Sequence, residues 1–245
     1  GNLTGRVMDK FTKDTKVSKT YSGGTLRRQG HFFADDFVKA LNRKPIAQTK
    51  IAFKNDTGAN SEVFISDFAG YGAQEVTKDG SIVAAPDFVP GKLALYYTSY
   101  KLNHPDVFYH DLTSGSRKIF ARYGGSNMSP AVSPDGSRIA FVSRNSGSDL
   151  IQFPIARGSP ETVLATSRSE SYPDVSASGL LAHVTDADGA SAVRLKSATD
   201  TWSRAIIGGG ELNADIREIR LSPDGQRVAI GTYASEHLLW IVPSA

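Results

Sequence analysis

Short stretches of alternating apolar and polar residues, separated by glycine and proline, make up most of this chain. From residue 50 onward no helical period persists, and strand-sized apolar segments follow one another with turns between them. The string Ser-Pro-Asp-Gly occurs at 133–136 and at 222–225. Each copy is followed by one further residue, then by an arginine and an apolar strand. Because proline fixes φ and glycine accepts a positive φ, this string predicts a tight turn between antiparallel strands.

The turn recurs in weaker form at two further places, and its spacing is regular. The turn glycines are Gly91, Gly136, Gly179 and Gly225, at intervals of 45, 43 and 46 residues. A repeat of roughly 40 to 50 residues that is rich in short strands is typical of the blades of a β-propeller. The predicted fold class is therefore mainly β, a propeller of about five WD-like four-stranded blades, or six if segments are missing.

The best-preserved repeat predicts the strand order within a blade. After an inner strand that ends in the turn, strands are predicted at 138–143, 149–154 and 161–165. The first blade is predicted to lack its inner strand, and the last blade to stop after its third strand. We interpret this count as three full and two partial blades, which indicates either an unusual five-bladed closure or a chain that lacks its C-terminal part.

The region before residue 50 has a different pattern. Residues 6–22 alternate as a β-hairpin does, and apolar residues then recur at helical spacing over 26–43, with Thr25 as the predicted N-cap. A hairpin and one helix are too small for an independent domain. We therefore expect residues 1–45 to be the C-terminal part of an α/β domain, and residues 46–245 to be the propeller.

The composition supports two modules and argues against a membrane-spanning or disulfide-bonded protein. Residues 1–50 hold eleven Lys/Arg against four Asp/Glu, whereas the remainder has a net charge of −4. No apolar run approaches the ~20 residues of a membrane-spanning helix. The chain has no cysteine, which excludes disulfides and thiolate metal sites. Its first residues lack the apolar stretch of a signal peptide, and we interpret the chain as processed or trimmed.

Four features in a fixed order carry a family resemblance. Residues 26–36 read L-R-R-Q-G-H-F-F-A-D-D, residues 49–53 read T-K-I-A-F, and residues 62–71 read E-V-F-I-S-D-F-A-G-Y, before the Ser-Pro-Asp-Gly repeats begin. This order resembles the TolB family, the periplasmic propeller proteins of the Tol-Pal envelope system. The resemblance covers essentially the whole chain and is strongest up to about residue 145.

The resemblance implies a function and partners. It implies a non-enzymatic, monomeric protein of the bacterial periplasm, peripheral to the membrane and without a cofactor, that acts in outer-membrane integrity, envelope constriction during cell division and protein transport. The implied partner is a Pal-like peptidoglycan-associated lipoprotein. Family members also contact TolA through an N-terminal extension and have a larger N-terminal domain and six blades, so this chain departs from the pattern in the regions it lacks.

The candidate binding residues follow from the blade order. Loops that join the outer strand of one blade to the inner strand of the next lie on one face of a propeller, and in the family this face binds Pal. Carried over to this sequence, the partner-binding positions are Ala85, Asn127, Met128, Ser129, Ser171, Tyr172 and Arg217. Packing between neighbouring blades is the alternative role for Met128 and Tyr172.

No catalytic residue and no metal ligand is predicted. The five histidines are scattered, no G-x-S-x-G motif is present, and Asp135 and Asp224 are interpreted as turn formers. Nucleic acid is not expected as a partner, because an exposed sheet with stacking aromatic residues is missing. Two alternatives stay open: a metal-dependent hydrolase or lactonase-type propeller, and an envelope scaffold or carbohydrate-binding propeller.

Overall fold

The computed structural model describes residues 1–144, 149–155, 161–166, 168–187 and 190–244. The chain forms two compact units. Unit 1 consists of residues 1–53 and 64–76, and unit 2 consists of residues 54–63 and 77–245.

Unit 1 begins with the predicted hairpin and helix. Strands β1 (Leu3–Met8) and β2 (Thr15–Tyr21) pair antiparallel, and helix α1 spans Leu26–Ala40. The Thr25 hydroxyl accepts the N–H of Arg28 at 3.2 Å, which confirms the predicted N-cap. The helix ends before the predicted residue 43, because Asn42 adopts a left-handed conformation with a φ of 55°.

The buried residues of α1 are polar. Gln29 and Asp35 are buried, whereas Leu26 is mostly exposed, so the apolar spacing predicted the helix but not the face that packs. The Asp35 carboxylate accepts hydrogen bonds from the Ala47 N–H and from the Gln48 side-chain amide, both at 2.7 Å. These bonds tie the segment after the helix back onto its side.

The remaining strands of the described residues form five antiparallel sheets, which confirms the propeller class. The first three-stranded sheet contains β3 (Lys50–Thr57), β4 (Asn60–Asp67) and β5 (Gln74–Glu75). The second sheet contains β6 (Val83–Phe88), β7 (Ala94–Ser99), β8 (Asp106–Asp111) and β9 (Arg117–Ala121). The third contains β10 (Ser126–Val132), β11 (Arg138–Arg144), β12 (Asp149–Pro154) and β13 (Glu161–Leu164).

The last two sheets complete unit 2. The fourth sheet contains β14 (Glu170–Val175), β15 (Leu181–Ala187), β16 (Ala190–Lys196) and β17 (Arg204–Gly208). A short helix, α2 (Gly209–Leu212), then leads to the fifth sheet of β18 (Asp215–Leu221), β19 (Arg227–Tyr233) and β20 (His237–Pro243). Helix α2 was not predicted, because its four residues are too few to show a helical period.

The core of unit 2 lies in apolar layers between successive sheets. Phe141 of β11 and Tyr96 of β7 belong to one cluster, Leu150 of β12 and Leu181 of β15 to another, and Ile230 of β19 to a third that also includes residues of β15 and β16. The second and third sheets lie between neighbouring sheets, and five consecutive residues of β11, 139–143, are buried. Every residue of β7 is buried.

Candidate functional site

Three inner strands share an irregularity near their start. Ala85, Ser129 and Tyr172 have φ values of 49°, 54° and 48°, and each lies where the pairing register of its strand shifts. Each also precedes a proline, and a residue before proline normally has an extended backbone. A positive φ is uncommon at any residue other than glycine. Three predicted binding residues are thus the bulge residues of β6, β10 and β14.

The fifth sheet departs from this pattern. In β18 the equivalent proline is replaced by Ile219, no residue of the strand has a positive φ, and the register shifts across Arg217 instead. The Arg217 side chain is exposed and donates from Nη2 to Asp215 Oδ2 at 3.0 Å. Its guanidinium lies 5.9 Å from the centre of the Tyr233 ring, within range of a cation–π contact.

A cavity of about 740 Å³ lies where β14 and β18 begin. Of the predicted residues it brings together Ser171 and Arg217. The further lining residues include Asn213 and Asp215, which precede Arg217, and Asp186, Ser191 and Tyr233, which the sequence reasoning missed. The repeat gave no direct signal for Tyr233, because its pairing with Asp215 depends on the register shift across Arg217 and not on the frame that begins at the turn.

The predicted residues of β10 lie in the third sheet. Asn127 is completely buried, and its side-chain amide donates to the carbonyls of Tyr123 at 3.0 Å and Gly125 at 3.4 Å. It therefore shapes the loop before β10 rather than facing solvent. The Met128 sulfur is half-buried and accepts the hydroxyl of Tyr100 at 3.6 Å, and this contact ties β10 to the second sheet.

Tyr172 packs against the cluster formed by the fourth and fifth sheets. Its ring is partly buried there and does not line the cavity. The packing role that the sequence left open for Tyr172 is thus the one the contacts describe. Asp215, Arg217 and Tyr233 all have exposed side chains at the cavity wall, and they can reach a partner without a rearrangement of the strands.

Charged residues converge at equivalent positions of the inner strands. The carboxylates of Asp87 and Asp174 each accept an N–H from the next inner strand at 2.6 Å, from Val132 and from Leu221 respectively. Arg220 occupies the same position of β18, and its Nη1 lies 3.4 Å from Asp87 Oδ1. Burial raises the pKa of Asp87 to about 6 and also raises that of Asp174, whereas Arg220 opposes both shifts.

We found no metal-binding site in the part of the chain that the structure describes. Within those residues, no group of three or more His, Cys, Asp or Glu side chains could hold a metal ion. The buried pair of Glu170 and His183, with 2.6 Å between Oε2 and Nδ1, is satisfied on one side by two threonine hydroxyls. The arrangement at the inner strands can thus present a cavity and charges, which suits recognition of a partner.

Small antiparallel sheets with repeated turns and converging inner strands define a β-propeller protein. The family model of the TolB beta propeller domain matches residues 38–239. The chain belongs to this family. Curated relatives include the Tol-Pal system protein TolB of Polaromonas sp. strain JS666, 29% identical over 111 residues, which are 45% of this chain and 26% of that protein. The Tol-Pal system protein TolB of Desulfotalea psychrophila is 28% identical over 153 residues, 60% of this chain and 35% of that protein.

Solved structures support the fold. The crystal structure of TolB from Acinetobacter baumannii superposes with a TM-score of 0.82 at 18% identity, covering 99% of this chain and 63% of that one. A puromycin-hydrolyzing peptidase of Mycobacterium tuberculosis superposes with a TM-score of 0.55 at 14% identity, over 81% of this chain and 36% of that one. The matches to the two curated relatives span about a quarter to a third of their length. No helix in the described residues is long and apolar enough to cross a membrane.

Proposed function

We propose that this chain is a non-enzymatic, protein-binding propeller of the Tol-Pal system that works in the bacterial periplasm. Membership of the TolB family and the names of the curated relatives support the system. The partner in this proposal is a Pal-like lipoprotein, and the consequence of binding is outer-membrane integrity and envelope constriction.

The observation that carries the binding role is the cavity at the start of β14 and β18. Its size is within the range of ligand-binding clefts, and an exposed arginine and an exposed tyrosine lie at its wall. Arginine and tyrosine are the residue types that most often dominate the energy of protein interfaces. The acidic groups Asp186 and Asp215 in the same wall give the cavity mixed charge, which suits a polar protein surface.

The non-enzymatic part of the proposal rests on what the conspicuous carboxylates do. Asp135 and Asp224 each accept a hydrogen bond from a serine of the same turn and one from the backbone, and both have a lowered pKa. Such carboxylates stay ionised and bonded at neutral pH. They serve the turn and are poorly suited to proton transfer.

The test is the affinity of this chain for the periplasmic domain of a Pal-like lipoprotein, measured by calorimetry. The variant Arg217→Glu reverses the exposed charge at the cavity and should weaken binding at least tenfold. The matched control is Arg227→Glu, because Arg227 is also exposed and lies at the opposite end of the fifth sheet. Absence of measurable binding by the parent chain, or equal weakening by both variants, would contradict the proposal.

A further inference from the structure

A second, smaller pocket lies on the fourth sheet, along the same strands β14 and β15 as the cavity but lined by different residues. Its volume is about 320 Å³, and its wall contains Trp202, Arg194, Ser203, Thr166 and Glu170. These residues come from β14, from β16 and from the segments next to β13 and β17, all within unit 2. None of them belongs to the predicted binding positions.

The most unusual feature of this pocket is an exposed tryptophan. Trp202 lies in the segment between β16 and β17, and 77% of its surface is accessible. A packed tryptophan side chain removes about 150–250 Å² from water, so leaving it outside the core gives up a large hydrophobic gain. An exposed aromatic face next to a polar pocket is a feature of ligand-binding sites.

The donors beside the tryptophan are held in place. Arg194 donates from Nε to the Ser203 hydroxyl at 3.0 Å and from Nη2 to the Ser203 carbonyl. These two bonds fix the plane of the guanidinium and leave Nη1 without a partner among the described residues. Because the Ser203 oxygen already accepts from Arg194, its hydrogen remains available for donation.

An acceptor is fixed on the other side of the pocket. The Thr166 hydroxyl donates to Glu170 Oε1 at 2.8 Å and accepts the N–H of Arg168 at 3.1 Å, which leaves one lone pair. Glu170 is itself immobilised, because its Oε1 also accepts from Thr185 at 3.2 Å and its Oε2 lies 2.6 Å from His183 Nδ1. The pocket therefore offers two donors and one acceptor next to a flat apolar surface.

We propose that this pocket binds a saccharide. One face of a sugar ring would stack on Trp202, and neighbouring hydroxyl groups would bond to Arg194, Ser203 and Thr166. Hydroxyl is the ligand group that both donates and accepts, as this mixture of fixed partners requires. A nucleic acid suits the pocket less well, because unit 2 holds 17 Lys/Arg against 19 Asp/Glu, whereas nucleic-acid-binding domains usually have a net positive charge.

The tryptophan provides the reporter for the test. The chain has two tryptophans, Trp202 and Trp240, so the variant Trp240→Phe leaves Trp202 as the single emitter. We expect a saturable change in its fluorescence with cellobiose or N,N′-diacetylchitobiose. Glycerol, which has neighbouring hydroxyls but no ring, should give none. The titration extends to about 20 mM, a range that includes the millimolar affinities of shallow polar sites.

Two variants connect the signal to the pocket. Trp202→Ala should abolish binding, measured by saturation-transfer NMR with the same disaccharides, and should leave the unfolding temperature unchanged, because the ring is 77% accessible. Arg194→Gln should weaken binding at least tenfold. Arg227→Gln is its matched control, since the same substitution is then made at an exposed strand position in another sheet.

The outcomes separate saccharides from other ligands that stack on tryptophan or pair with arginine. A response to adenosine monophosphate or to a glutamate-rich peptide, with none to either disaccharide, would overturn the proposal. So would a lack of any saturable response in a Trp240→Phe protein that unfolds as the parent does. Binding of a Pal-like domain at the larger cavity is measured independently, so each proposal can fail without the other.

Discussion

The two Ser-Pro-Asp-Gly turns share the bonds of their serines and have different neighbours. In each turn the serine hydroxyl donates to the aspartate at 2.5 Å and accepts the N–H of the following arginine at 2.9 Å. The turn glycines have φ values of 70° and 71°. A Cβ added to Gly136 would lie 3.8 Å from Pro90, whereas one added to Gly225 would lie 3.2 Å from the Cβ of Ser176.

This difference separates what the repeat encodes from what it leaves open. The turn is a local structure, and the bonds of its serine have the same lengths in both copies. Its surroundings depend on the neighbouring sheet, where the residues are not repeated. The second turn is also bound by the end of the chain, because Ser244 donates to the carbonyls of Gln226 at 2.9 Å and Gly225 at 2.5 Å.

The largest expected effect comes from alanine at the two turn glycines. A side chain in the left-handed region costs about 1 kcal/mol, and this should be the whole loss for Gly136→Ala. Gly225→Ala adds steric overlap with Ser176, and we expect a total loss of about 3 kcal/mol. Urea unfolding of the two variants measures both losses. Equal losses would show that the neighbouring sheet yields without cost and that the two turns are equivalent.

The inner strands also combine a repeated backbone with side chains that differ, here in their charge. Asp87, Ala131, Asp174 and Arg220 occupy equivalent positions of β6, β10, β14 and β18, one register step before the turn. The two aspartates bond the next inner strand, the alanine cannot, and the arginine instead supplies a cation to Asp87. The backbone is repeated here, whereas the electrostatics differ from strand to strand.

The second prediction concerns the buried charge of Asp87. Its folded pKa of about 6 lies above the unfolded value of 3.8, so the folded state binds the proton more tightly between these values. The free energy of unfolding should therefore fall as the pH rises from 4 to 7. Asp87→Asn stays neutral, and we expect it to be as stable as the parent at pH 4 and about 2 kcal/mol more stable at pH 7.5.

A control variant has the opposite sign. Asp111 accepts the N–H groups of Ser114 and Thr113, which lower its pKa, so Asp111→Asn should destabilise the protein at neutral pH. Chemical denaturation at the two pH values distinguishes the variants. If Asp87→Asn destabilises the protein at pH 7.5, the attraction of Arg220 exceeds the desolvation of Asp87, and the position is an ion pair that strengthens the fold.

The sequence predicted the parts of the fold that depend on local chemistry. The strand over 149–154 and the N-cap at Thr25 were predicted as the structure has them. The buried face of α1 was not predictable, because Asp35 is buried in order to bond the backbone of a later segment. Helix α1 lies outside the repeat, so the repeat could not indicate which of its polar residues would be buried.

The candidate site was predictable only in outline. The repeat located the candidate positions near each inner strand, where the structure has them inside the strands instead of in the preceding loops, and Ser171 and Arg217 do line one cavity. By spacing from the turn glycine their equivalent in the third sheet is Met128, whereas Asn127 lies one residue earlier and is buried, since its amide bonds the preceding loop. The side-chain direction at each position depends on the bulge of its own strand, which the repeat frame does not specify.

The third prediction tests the part that the turns share. Ser133→Ala and Ser222→Ala each remove the hydroxyl that bonds both the turn aspartate and the N–H of the next strand. Because these bonds are internal to each turn, we expect similar losses of about 1 kcal/mol in the free energy of unfolding. The measurement is urea unfolding at pH 7. A loss confined to one variant would show that its turn depends on the adjoining sheet instead.

The smallest effect concerns the ionisation of the turn carboxylates. Hydrogen bonds from the hydroxyls of Ser133 and Ser137 lower the pKa of Asp135 to about 2, and the Ser222 hydroxyl likewise lowers that of Asp224. Both folded pKa values lie below the unfolded value of 3.8, so the carboxylates stabilise the fold above about pH 4 and lose this contribution as the pH falls toward 2.

NMR of the carboxyl carbons should show both groups titrating below pH 3.8, while Asp87 titrates near pH 6 in the same spectra. A pKa of 4 or higher for Asp135 would mean that its bonds are not formed in solution, and the aspartate would then be available as an acid or base. With the pKa near 2, it remains a charged acceptor at neutral pH, and its chemistry is limited to closing the turn.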